Sequence, residues 1–251
     1  VATLKEAHRL LDVECPADNP VIRRVLRGIA NREGRPAKKA PPLLVEQASL
    51  IIRRLDGSVA GVRDRAIILV GWALFLRRSE IVSIRREDIR ISSDRMLIVI
   101  GRSKTDQENV GSLMSLPRTG GPACPVSALE QWLSISGITS GPVFRRVFRG
   151  GALGKENHGL TAHSVNLIIK KRALEAGVDE PSLYSGHSLR RGGITQAYAG
   201  NNTEADIQRV SRHRSLIQLR EYRDNATALL GHQPSQDFLI ALNESLQDIN
   251  T

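Results

Sequence analysis

The chain has 251 residues, 41% of them hydrophobic, with 36 Lys and Arg against 26 Asp and Glu, a formal charge of +10 and a pI near 10.3. That length allows one large domain or one domain with a remnant, and the cation excess favours a polyanionic partner through phosphate contacts that release counterions. Cys15 and Cys124 are too few for a disulfide framework, so a reducing compartment is the default; the longest apolar run, 66–76, is flanked by charge and too short to span a bilayer.

No leader-like segment is visible, and the chain opens at Val1 directly in helical pattern, so a further N-terminal segment is expected. Residues 2–12 read as a short amphipathic helix and 19–32 as a second, with Asn19 as N-cap and Pro20 at the first helical position. Arg23, Arg24, Arg27 and Arg32 make this second helix basic, which is either a solvated face or a DNA contact. The stretch 33–43, rich in Pro, Gly and Lys and lacking periodicity, reads as a linker carrying Lys38 and Lys39. A helix follows at 44–55 with Leu44, Ala48, Ile51, Ile52 and Leu55 as its apolar positions.

Residues 62–76 are apolar almost all round and predict a central buried helix. It ends at Arg77-Arg78-Ser79-Glu80, where Ser79 is placed to cap a short following helix. The arginine pair there either meets solvent or turns Arg77 inward to an anion, with Glu80 orienting or neutralising it. Residues 95–101 and 112–116 read as strands joined by a turn-rich hairpin that carries Arg102 and Lys104. A crossover at 117–125 leads to a helix at 127–136 with Leu129, Trp132 and Leu133 inward. A flexible basic loop is expected at 150–159. The helix at 161–176 puts Val165, Ile168, Ile169 and Leu174 on one side and Lys170, Lys171 and Arg172 on the other, and Gly177 stops it. Residues 234–247 form an amphipathic helix whose stripe of Phe238, Leu239, Leu242 and Leu246 packs on its own domain or docks into a neighbouring subunit. The fold class is therefore mainly α with a small antiparallel sheet (α+β).

The chemistry concentrates in residues 184–224, which hold two histidines, seven arginines and all three tyrosines of the chain. His187 and Arg190, three apart on a helix, would share a face with Cβ atoms about 5–6 Å apart. His213 precedes Tyr222 by nine. A base or donor, a guanidinium, a second imidazole and a phenol together suit the holding of a phosphodiester while a tyrosine oxygen attacks it. Each feature alone reads as an ordinary basic surface, so the reading needs partners elsewhere in the chain. Tyr184 and Tyr198 are the rival phenols; Tyr198 reads as a packing residue and Tyr184 as lining the cleft. No cluster of Cys, His and carboxylates suggests a metal, and no cofactor is expected.

With Arg77, Lys104, His187, Arg190, His213 and Tyr222 placed, the chain resembles the tyrosine recombinases of the phage-integrase family, nearest to their Cre branch. FLRRSEI matches the family's arginine turn through Arg77 and Glu80, IGRSKT its hairpin lysine, SGHSLRRGG its H-x-x-R helix, and His213 with Tyr222 its His-or-Trp and nucleophile. The six elements occur in order, and the resemblance covers about residues 19–247. Arg212 departs from it, standing where many relatives carry Gly, which puts the local backbone in question. Residues 1–33 match only the tail of a helical core-binding domain, followed by a linker at 34–43 and a catalytic domain at 44–251 with a docking helix at 234–247.

The resemblance implies cutting and rejoining of duplex DNA through a 3′-phosphotyrosyl intermediate, without metal or ATP. Arg77 and Arg190 would hold the non-bridging oxygens by forked hydrogen bonds and His213 would add a donor. Tyr222 would attack, His187 would act as base or orient one, and Lys104 would protonate the departing 5′ oxygen. DNA contacts are expected from Arg23, Arg24, Arg27, Lys38, Lys39, Arg102, Arg191, Arg212 and Arg214. The implied partners are double-stranded DNA with inverted-repeat half-sites and three further copies in a homotetramer joined by the C-terminal helix. A cytoplasmic, nucleoid-associated setting is expected, with no membrane. The alternatives are a type IB topoisomerase and a catalytically silent DNA-binding protein.

Overall fold

A break between Lys39 and Ala40 divides the chain into two units. The computed structural model describes residues 2–33, 39–101, 111–213 and 215–230. Lys38, Arg102, Lys104, Arg214 and the helix expected at 234–247 lie outside the described residues.

The first unit holds α1 (Ala2–Leu10) and α2 (Pro20–Glu33). The start of α2 follows its sequence: the Val21 N–H donates to Asn19 Oδ1 at 2.9 Å, and Pro20, which has no N–H to lose, takes the first helical position. Asp18 pairs with Lys5 and, at 2.7 Å, with Arg23. Arg24 and Arg27 are exposed.

In the second unit the elements run α3 (Val45–Arg54), α4 (Val59–Ala73), α5 (Arg78–Ser83), β1 (Ile89–Ile91), β2 (Arg95–Ile100), β3 (Ser112–Pro117), α6 (Pro125–Ser136), α7 (Ala162–Glu175), α8 (Gly186–Ala199), α9 (Glu204–Ser211) and α10 (Leu216–Leu230). The sheet is antiparallel in the order β1-β2-β3, with Ile98 opposite Ile89 on one side and Met114 on the other. Helix plus a small antiparallel sheet is the fold class expected. Strand β1 is an addition to the expected strands, because its three residues are too few to show an alternation.

Helix α4 begins earlier than its apolar run because Ser58 caps it, accepting from the Gly61 N–H at 3.1 Å. Its buried Val62, Ala66, Ile67, Ile68 and Val70 meet α6, whose Trp132 is fully buried and donates to the Val143 carbonyl at 2.9 Å. Two charged residues of α4 are also buried, and they overturn one expectation. Asp64 is held by Arg63 and by Arg172, each at 2.7 Å, so Arg172 turns into the protein rather than sharing a solvent face with Lys170 and Lys171. A buried carboxylate recruits cations wherever the fold brings them.

Helix α8 lies at backbone contact on its neighbours. A Cβ at Gly192 would sit 1.9 Å from the Leu43 carbonyl oxygen and one at Gly193 2.4 Å from that of Trp72. Leu43, in the stretch read as linker, is fully buried, and its N–H donates to the Ser188 carbonyl at 2.9 Å. The loop at 150–159 is pinned by bridges between Val147 and Leu153 and between Arg145 and Gly159. Tyr184 does not line a cleft: it is buried in the main core beside Val165 and Leu189. Gly177 ends α7 at φ 69, as expected.

Among the described residues, no helix is long and apolar enough to cross a membrane, and no group of three His, Cys, Asp or Glu is placed to hold a metal.

Candidate active site

Four chain segments converge here, and the local sequence explains each. The first is the exit from α4. Phe75 sits at φ 50, the left-handed cap position; the Leu76 N–H donates to the Gly71 carbonyl at 2.9 Å and the Phe75 N–H to that of Trp72 at 3.4 Å. This is the Schellman arrangement with phenylalanine where glycine is usual, at a strain of about 1–2 kcal/mol. The turn aims the Phe75 carbonyl at Arg190 and delivers Arg77 to the start of α5.

Arg77, rather than the expected Ser79, is the N-cap of α5, and Glu80 reaches back to it. Glu80 Oε2 accepts the Arg77 backbone N–H at 2.7 Å and Oε1 its Nη1 at 2.8 Å. Arg212 Nη2 donates to Oε2 at 2.8 Å. Glu80 is buried. Burial works to raise its pKa, but the charge of Arg212, with the N–H and guanidinium of Arg77, outweighs it and holds the carboxyl below its ordinary value.

The second segment is the N-terminus of α8. Ser185 Oγ accepts from the His187 N–H at 3.3 Å, and Ser188 Oγ accepts from the Ser185 N–H at 3.1 Å. That reciprocal cap puts His187 in the first turn and Arg190 one turn on. Arg77, Arg78, Ser79, Asn166, Ser185 and His187 line a hollow of about 380 Å³ beside it. Surrounding protein, and then the charges of Arg190, Arg191, Arg77 and Arg78, hold the His187 pKa below its ordinary value.

Arg190 is fully buried. Its Nη1 donates to the Phe75 carbonyl at 2.6 Å, and its Nη2 donates to the Ser211 carbonyl at 2.7 Å and to His213 Nε2 at 3.0 Å. Burial, with the charge of Arg77 next in weight, lowers its pKa to about 10, which leaves it a cation at neutral pH.

The third segment is the end of α9. Arg212 sits at φ 56, its N–H bonded to the Gln208 carbonyl at 2.8 Å. The glycine-like backbone is thus kept without the glycine. His213 follows, with Nδ1 2.8 Å from Ser211 Oγ. Arg190 can only donate, so His213 Nε2 accepts and the ring is neutral, with its proton on Nδ1. Burial first, then Arg190, Arg77, His187 and Arg212, push its pKa down to about 3.

The fourth segment is α10. Its Tyr222 ring lies 5.7 Å from the His213 ring, tilted by 44°. The Arg191 guanidinium stands 5.6 Å over the Tyr222 ring. Phe75, Ile194, Ile207 and Leu219 form a small core under this helix, with Tyr198 and Tyr222 packed against it. Arg77 and Tyr222 both act on the charge of Arg190, so they gather around the same guanidinium.

Of the expected catalytic residues the structure thus brings together Arg77, His187, Arg190, His213 and Tyr222, with Glu80. Two of the expected DNA contacts have partners inside the protein: the buried Arg191 guanidinium stands over the Tyr222 ring, and Arg212 pairs with Glu80. Sequence reasoning missed the parts played by Phe75 and Ser211: both hold Arg190 through backbone carbonyls, which leave no side-chain signal, and Ser211 Oγ also meets His213 Nδ1.

A family model described as phage integrase family matches residues 42–228. The chain belongs to the phage integrase family. Among relatives of this integrase-family chain, an "Integrase/recombinase xerD homolog" of Selenomonas ruminantium is 35% identical over 209 residues, 82% of this chain and 60% of that protein. The chain spans about half to two thirds of the length of the curated relatives it matches. A XerH site-specific recombinase bound to a palindromic difH substrate, in a post-cleavage complex, shares the fold with a TM-score of 0.59 at 16% identity, over 76% of this chain and 51% of that one. A lambda integrase tetramer bound to a Holliday junction gives 0.50 at 15%, over 81% and 56%. These names support the integrase family as a whole rather than its Cre branch, and all are recombinases or integrases rather than topoisomerases or silent binders.

Proposed function

We propose that this chain carries the catalytic part of a site-specific DNA recombinase that cuts and rejoins duplex DNA through a 3′-phosphotyrosyl link. One observation carries the reading: Tyr222, His213, Arg190 and the Arg77–Glu80 pair, from four separate segments of one chain, meet around a single buried guanidinium.

A phosphodiester entering the hollow would meet Arg77, Arg78 and His187 in a lining that, among the described residues, includes no carboxylate. Arg77 gives Nη1 to Glu80, which leaves its other guanidinium donors for the anion among the described residues, and Arg190 lies close enough for their charges to act on each other. His213 Nε2 accepts from Arg190. An anion beside it would favour a proton on that nitrogen and convert it to a donor. Loss of one such donor removes about 3–4 kcal/mol of transition-state stabilisation. Tyr222 attacks phosphorus and displaces the 5′ oxygen, and its phenol gives up its proton to His187 or to a water that His187 orients. Lys104 protonates the leaving oxygen, an assignment that rests on the family resemblance. The phosphotyrosyl ester keeps the bond energy, so a 5′-hydroxyl from another strand reseals it.

The finer features follow the same proposal. The substrate is a pair of inverted half-sites, the assembly a tetramer and the setting the nucleoid. The helix at 234–247 docks on a neighbouring copy. The palindromic substrate of the XerH neighbour supports the first and the tetramer of the lambda integrase neighbour the second; the docking helix and the setting rest on the family resemblance.

The test is incubation with a suicide duplex bearing the inverted-repeat sequence beside the gene. A denaturation-resistant protein–DNA adduct mapping to Tyr222 is expected, with none from Tyr222→Phe. No adduct from the wild-type chain, or an undiminished adduct from Tyr222→Phe, would overturn the reading.

A further inference from the structure

Two observations meet at Arg212. Its backbone holds the left-handed conformation at φ 56, where glycine fits without strain and any other residue needs a reason. Its side chain then turns inward and is held by three elements. Nη2 donates to Glu80 Oε2 at 2.8 Å, and Nη1 donates to the Val210 carbonyl at 2.8 Å and contacts the Met114 sulfur of β3 at 3.2 Å. An arginine serving only as a helix cap would leave its head in water.

Glu80 is the hub of this contact. One carboxylate takes the Arg77 N–H and guanidinium as well as Arg212, so the two arginines fix each other through it. Arg212 also immediately precedes His213, whose carbonyl is itself held by Gln208 Nε2 at 3.0 Å.

We propose that Arg212 is a positioning residue for strand cleavage: it fixes the Glu80 carboxylate, and through it the Arg77 guanidinium, while setting the turn that presents His213. This rests on the recombinase reading above. The charged groups facing Glu80 are Arg77 from α5, Arg190 from α8 and Arg212 from the end of α9; β3 brings the uncharged Met114. The charge of Arg212 is the largest single influence holding the carboxyl ionised, ahead of each of the N–H, guanidinium and charge of Arg77. Without it, Glu80 takes up a proton at a higher pH and lets go of Arg77.

The experiment is single-turnover cleavage of the suicide duplex by the full chain, read across pH for Arg212→Gly, Arg212→Ala and Arg212→Lys. Glycine separates the two roles, since it relieves the backbone while deleting the guanidinium. The expected result is slowing by about tenfold or more for glycine and alanine, in line with the ~10²-fold that a 1 Å misplacement can cost. The acid limb of the rate profile moves to higher pH for both, and lysine recovers part of the rate and the original limb. Arg212→Gly cleaving at the wild-type rate with an unmoved acid limb overturns the proposal and leaves the recombinase reading intact. No adduct from the wild-type chain removes both. Should glycine fail to fold, as judged by melting and DNA binding, Arg212→Gln, similar in reach and uncharged, is read the same way.

Discussion

Removing the titration at His213 should change how the protein responds to acid. The imidazole is buried, neutral and bonded through Nε2 to Arg190, with its pKa near 3 against an ordinary value of 6.5. Below pH 6.5 the unfolded chain binds a proton at this residue that the folded chain refuses, so stability falls as the solution is acidified, and the loss runs on until the folded pKa is reached. A full unit is worth about 1.4 kcal/mol, and because the unfolded imidazole is already half protonated at pH 6.5, the fall to pH 4.5 should remove about 2.3 kcal/mol through His213 alone. The carboxylates and His187 titrate nearby, which makes the useful quantity a difference. Urea unfolding of the wild type and of His213→Gln, each at pH 6.5 and 4.5, isolates it: the variant should lose about 2–3 kcal/mol less over that interval. Parallel pH slopes in the two proteins would refute the buried, Arg190-bonded neutral imidazole.

Other consequences are as direct. Gly192→Ala puts a methyl 1.9 Å from the Leu43 carbonyl oxygen, backbone against backbone; denaturant unfolding should show a loss of about 3 kcal/mol or more, beyond ordinary overpacking. Arg172→Ala leaves Asp64 with Arg63 as its remaining cation, and a loss of about 3 kcal/mol is expected by the same measurement, at the lower end for a broken buried pair. Arg77→Ala should abolish adduct formation while gel-shift binding of the duplex survives; equal loss of both would make Arg77 a docking residue. Binding titrations at rising salt should show log K falling by about 0.9 for each phosphate neutralised.

The sequence made the local parts of the site legible and hid the parts that depend on the fold. His187 and Arg190 could be paired because helical spacing alone puts them on one side, and Arg77 with Glu80 because a carboxylate three residues on can orient or neutralise the arginine, although the cap itself was expected at Ser79 rather than Arg77. The family resemblance ties Tyr222 to His213, a spacing uninformative by itself, and only the packing of α10 on Phe75, Ile194 and Leu219 brings the rings together. Arg172 and Arg212 read as solvent or phosphate cations, since nothing near them in sequence names Asp64 or Glu80 as partner; those carboxylates lie 108 and 132 residues away. The left-handed turn at Phe75 was invisible for a different reason. The residue that marks such a turn is glycine, and here tertiary contacts impose the conformation on a side chain that disfavours it.

Arg190 is anchored by main-chain oxygens at the ends of two helices, Phe75 beyond α4 and Ser211 closing α9. Helix C-termini carry partial negative charge, roughly half an electron each, so they steady the guanidinium without cancelling it. A carboxylate in the same place would have to be displaced before an incoming anion could use that charge. Among the described residues the Arg190 cation therefore has no carboxylate bonded to it, in contrast to Arg77 and Arg212, which share Glu80.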